Sequence, residues 1–164
     1  MTETQPQSVP RNDDNELDTA LAFLNFARKS LVKKLDDLNE EQVRKTLVPT
    51  GTSLLGLVRH STDGERFWFG YHLTGIGSEP NWEEGMSAAP GVATEEVIAD
   101  YLRATTASDS TIRYIGDPEA TSALSLTGAP RTLRWTMAHM TSETARHAGH
   151  ADILRELIDG TTGR

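Results

Sequence analysis

The sequence predicts an all-α fold, most simply a four-helix bundle. Apolar residues recur at three- and four-residue intervals in four long segments, no segment alternates as a strand would, and capping or breaking residues stand at segment ends. The connections after the second and third segments are long, so periodicity leaves the topology open.

Residues 1–15 lack the apolar content to fold and are expected to form a disordered polar tail, with one domain over 16–164. The first helix is predicted from Leu17 to about Leu38, where Leu21, Leu24, Leu31 and Leu35 repeat over ~33 Å. Asn39 to Gln42 reads as a capping box opening a short helical turn. A second helix is predicted over 53–73, with an inward stripe of Leu57, His60, Gly64, Phe67, Trp68 and Tyr71. Glycine is a poor helix former, so Gly56 and Gly64 on either side of His60 imply either space for an ion or ligand, or close packing of a neighbour. His72 falls at the end of this helix and reads as a surface residue. The 74–93 connection carries Trp82-Glu83-Glu84, and a Trp inside so long a loop favours docking near the mouth of a site. Thr94 reads as the cap of a third helix whose core face includes Val97, Tyr101 and Ala104. The fourth helix is predicted from Thr132 to Ile158, terminated by Gly160.

That last helix concentrates the chemistry. At ~100° per residue, His139, Glu143, His147 and His150 share one stripe with Leu133, Met140, Ala151 and Leu154, so ionisable groups face inward. A buried carboxylate beside imidazoles is relieved by pairing, by hydrogen bonding or by a divalent metal. His139 and His150 lie ~16 Å apart along the axis, so only neighbours three or four residues apart can share one ion. Glu143 and His147 enter most of those pairs, and His60 on a facing helix supplies a third donor. Such a set suits zinc and also iron(II) or nickel, with a coordination position left open. The competing reading is a cluster of satisfied core histidines bonded to Glu143 and backbone. Asp63, one turn after His60, is a candidate to hold the free imidazole nitrogen, whereas Arg59 and Arg146 read as solvated.

Composition narrows the function classes. Acidic residues outnumber basic ones 24 to 16, for a net charge of −8, and no basic stripe exists, so nucleic acid is not an expected partner. No apolar run approaches a membrane span and no signal-peptide pattern is present, so a cytoplasmic protein without a membrane partner is expected. With no cysteine, any thiol chemistry must use a thiol supplied as substrate.

The runs Gly51-Thr-Ser-Leu-Leu-Gly-Leu-Val-Arg-His60, Glu65-Arg-Phe-Trp-Phe69, Leu133-Arg-Trp135 and Glu143-Thr-Ala-Arg-His-Ala-Gly-His-Ala-Asp152 resemble the DinB superfamily of four-helix bundles, within it the mini-circle protein group. The resemblance implies a divalent metal, zinc first, held by His60, Glu143 and His147. Glu143 departs from the family's commoner three-histidine set. The His, Glu, His order is similar to the metal-binding domain of mycothiol-dependent maleylpyruvate isomerases. That similarity implies a metal-dependent transferase that activates a low-molecular-weight thiol of the mycothiol type toward an electrophilic substrate. Maleylpyruvate isomerisation is not implied, because those isomerases complete their site with a further domain. The alternatives are a metal-dependent hydrolase with the same ligands and a non-catalytic binding module. DinB-like bundles often dimerise, so a homodimer is also an expectation of the resemblance.

Overall fold

The computed structural model describes residues 7–88, 90–126 and 128–163, and the expectation of a disordered tail lies outside the described residues over 1–6. Residues 7–13 adopt no regular element. The fold is all-α: among the described residues there is no strand, and an isolated antiparallel bridge pairs Thr121 with Thr132. No helix among them is long and apolar enough to cross a membrane.

Helix α1 (Glu16–Lys33) begins at Asn15, whose side chain accepts from the Asp18 amide. It ends before the predicted Leu38. Residues 34–37 are turns, and Arg155 donates to the carbonyls of Lys34 (3.1 Å) and Asp36 (2.6 Å), replacing partners that further helix would have provided. Helix α2 (Glu40–Arg44) carries the predicted reciprocal capping box between Asn39 and Gln42.

Helix α3 (Leu54–Glu65) is capped by Ser53 and continues as a π-helical segment over Arg66–His72. This segment corrects one expectation. Wider i to i+5 turns advance fewer degrees per residue, so His72 rotates inward and is fully buried against Phe67 and Trp68 rather than at the surface.

Helix α4 (Thr94–Ile115) shows a second correction. Thr94 is the first helical residue rather than the cap, and its amide (3.1 Å) and hydroxyl both donate to the Glu40 carboxylate. An acid borrowed from α2 therefore does the capping, where the helix dipole favours negative charge. Helix α5 (Leu133–Asp159) starts at Thr132, whose hydroxyl accepts from the Trp135 amide, and stops at Gly160 with φ of 76°.

α1 lies along α5, while α3 packs on α4 and α5. Two apolar clusters fill the interior. One joins Leu31, Leu35, Val43, Leu54, Leu57, Val58, Tyr101, Ala151 and Leu154; the other joins Leu21, Leu24, Phe69, Leu73, Ile112, Leu133, Met137 and Met140. Between the two clusters each long helix contributes buried polar residues: Arg28 in α1, Ser61 and Glu65 in α3, Thr105 and Ser108 in α4, and Thr144 in α5. Arg28 anchors this layer with a two-pronged bond to Glu65 (2.8 and 2.6 Å) and a third to Asp109 (2.6 Å).

Candidate functional site

The polar layer opens to the surface where α3 faces α5. His60 comes from the middle of α3, and Glu143 and His147 come from the middle of α5, one turn apart. All three line one cavity of about 250 Å³, together with His139, Trp68 and Trp82. The His60 and His147 rings stand nearly perpendicular at 89°, with centroids 5.1 Å apart. His147 Nε2 is 3.9 Å from Glu143 Oε2, and Glu143 Oε1 accepts from Arg146 at 2.7 Å. His147 is buried and its Nδ1 has no hydrogen-bond partner.

Burial sets the charge state of these groups. It pushes His147 down to about 4, with His60 adding to the shift and Glu143 opposing it. His60 is also held below the ordinary imidazole value by burial; Asp63 opposes that shift and Arg59 reinforces it. Both rings are therefore neutral at pH 7 and carry a free lone pair, the form in which imidazole binds metal.

Among the described residues no three histidine or acidic groups are gathered closely enough to hold an ion as they stand. The donor types nevertheless fit a divalent cation. Two ligand atoms at ~2.1 Å from a tetrahedral ion are roughly 3.4 Å apart, so the His147 to Glu143 separation of 3.9 Å needs only a small side-chain adjustment. The ring nitrogen that faces Glu143 is Nε2; the buried, unpartnered Nδ1 is the other nitrogen of the same ring and a separate polar group left without a bond.

The other predicted residues divide. His139 lines the cavity, with its ring stacked on Trp135 (4.9 Å, 11°) and edge-on to Trp68 (4.4 Å). His150 is exposed and does not line it; its ring centroid is 6.0 Å from that of His147. Asp63 was the candidate to steady His60, but its carboxylate faces Arg59 at 3.5 Å. Arg59 is not the solvated residue its sequence position implies: its guanidinium donates to Glu84 (2.6 Å), to the Gly85 carbonyl (2.7 Å) and to the Ser87 carbonyl (3.3 Å). Arg146 is exposed apart from its bond to Glu143, as expected.

The loop docks as its tryptophan predicts. The Trp82 ring lies 5.7 Å from His60 and 5.5 Å from Phe67. The two glycines have different reasons. A Cβ on Gly56 would stand 1.8 Å from the Met86 carbonyl oxygen, so close approach of this loop requires glycine there. At Gly64 it would meet only the Met140 methyl at 3.6 Å, an ordinary contact, on the cavity wall. The aromatic cluster of Trp68, Trp135 and His139 is not among the features the sequence predicts, although Trp135 and His139 stand four residues apart on one helix, the spacing at which side chains meet.

Residues 19–160, most of the chain, match the family described as MST: Mycothiol-S-transferase. No curated protein matches the chain.

Proposed function

Because the chain belongs to the mycothiol-S-transferase family, we propose that it joins a low-molecular-weight thiol of the mycothiol type to an electrophilic small molecule in the cavity between α3 and α5. The observation that carries this reading is the meeting of His60, Glu143 and His147, from two helices, around one cavity in a chain that has no thiol of its own. In this reading the three side chains hold a divalent cation, zinc before nickel or iron(II). Such an ion, when bound, supplies Lewis acidity that makes a thiol ionise near neutral pH.

The chain's own residues do the remaining work. Arg146 holds one oxygen of Glu143 and leaves the other turned toward His147, which keeps the carboxylate on the cavity side of α5. Burial keeps both imidazoles unprotonated, so neither has to lose a proton before it acts as a donor. Trp68, Trp82 and Met140 line the cavity with apolar surface, thin the water around the reacting sulfur and leave room for the electrophile. The thiol gives up its proton, its sulfur bonds to the electrophilic carbon, and the bond from that carbon to its leaving group breaks, the leaving group taking the electron pair.

The test is consumption of mycothiol with an alkylating or arylating electrophile by the wild type and by His147→Ala. The reading predicts catalysed loss of thiol by the wild type, and at least a ~100-fold lower kcat/KM in the variant, because a ligand is removed. Equal rates in the two proteins would exclude it.

A further inference from the structure

Residues 82–87 are held on α3 by two devices of different chemistry. The first is Arg59, next to His60 in sequence, whose planar fork reaches a carboxylate and two backbone carbonyls of the loop at once. Lysine offers a single nitrogen and cannot span those three acceptors. The second is the surface of α3 around Gly56, against which the Met86 carbonyl rests while accepting from the Ser53 amide at 3.1 Å. The segment so fixed is the one that carries Trp82 over His60 and Phe67. Trp68 and Met140 line the same cavity and add to its apolar surface.

We propose that Arg59 is the positioning residue of this site: it holds the Trp82 indole as a wall against which the flat apolar group of the electrophile packs, so that Trp82 sets electrophile preference. This rests on the thiol-transfer reading above. Arg59 touches no reacting atom in this scheme, because its guanidinium is engaged by the loop and by Asp63.

The experiment compares two electrophiles with mycothiol as the thiol. One is flat and aromatic, 1-chloro-2,4-dinitrobenzene, where a carbon–sulfur bond replaces the carbon–chlorine bond and chloride and the thiol proton leave. The other is small and polar, iodoacetamide, where iodide leaves in the same way. Trp82→Ala is expected to raise KM for the aromatic substrate roughly tenfold and that for iodoacetamide by less than about threefold. Arg59→Ala is expected to reproduce that pattern at wild-type metal content, and to add nothing in a Trp82→Ala background, since it acts through Trp82. Gly56→Ala is the independent lever: alanine is otherwise the better helix former, yet its Cβ displaces the same loop, and the same shift in KM is expected. Hydrogen exchange of residues 82–87 should be faster in the Arg59 and Gly56 variants. Additive effects of Arg59→Ala and Trp82→Ala, or faster exchange without change in KM, would overturn the proposal. If the wild type turns over neither electrophile, the thiol-transfer reading fails by itself; the holding of residues 82–87 by Arg59 and by the surface around Gly56 then stands on accelerated exchange in both variants and falls if exchange is unchanged.

Discussion

His147 shows how burial sets the charge state of a single side chain. Its imidazole is packed between α5 and α3 with one nitrogen unpartnered, and burial pushes it down to about 4 from an ordinary value of 6.5. Between those two values the unfolded chain binds a proton that the folded chain does not, so stability rises with pH across the window and is lost as pH falls through it. In chelator-treated protein the loss should approach ~3 kcal/mol by pH 4. Urea denaturation from pH 4 to 7 checks this, and His147→Gln should flatten the slope. The approach of Glu143 to His147 at one cavity was legible at this scale because the two are one helical turn apart on a stripe that includes Met140 and Ala151. Arg59 was not legible, since its partners are a loop carboxylate and two loop carbonyls, and no periodicity encodes where a loop lands.

Among the elements, α3 carries the greatest departure from ideal geometry. Its α-helical part gives way at Arg66 to the π-helical segment, which turns Trp68 toward His139 and buries His72. His72 was misplaced because its position at a helix end was taken to mean exposure, whereas His60, before the change of register, lies on the face its periodicity predicts. Just ahead of that change sits Glu65, almost fully buried and bonded to Arg28. Glu65→Ala would leave the Arg28 charge buried with only the more exposed Asp109 as counter-charge, and should cost ~3–5 kcal/mol in chemical denaturation. Gly160→Ala, which places a side chain at φ of 76°, should cost about 1–2 kcal/mol by the same measurement. If Glu65→Ala were instead close to neutral, the polar layer would not depend on that pair.

Over the whole molecule, two apolar clusters flank a polar layer, and the candidate site is the part of that layer that reaches the surface between α3 and α5. The apolar stripes revealed each helix, but Arg28, Glu65 and Ser108 read as separate polar residues until packing brings their helices together. An ion bound only by the folded chain stabilises it by mass action, about 2.7 kcal/mol at a hundredfold excess over Kd. Zinc added to chelated wild type should therefore raise Tm, and should not do so for a folded Glu143→Gln, His147→Ala double variant. The most direct measurement is elemental analysis of untagged protein, purified without added metal or chelator, beside that double variant. The account predicts about one divalent transition metal per chain in the wild type and none in the variant. Equal metal content in the two proteins, or none in the wild type and none taken up on addition, would contradict it.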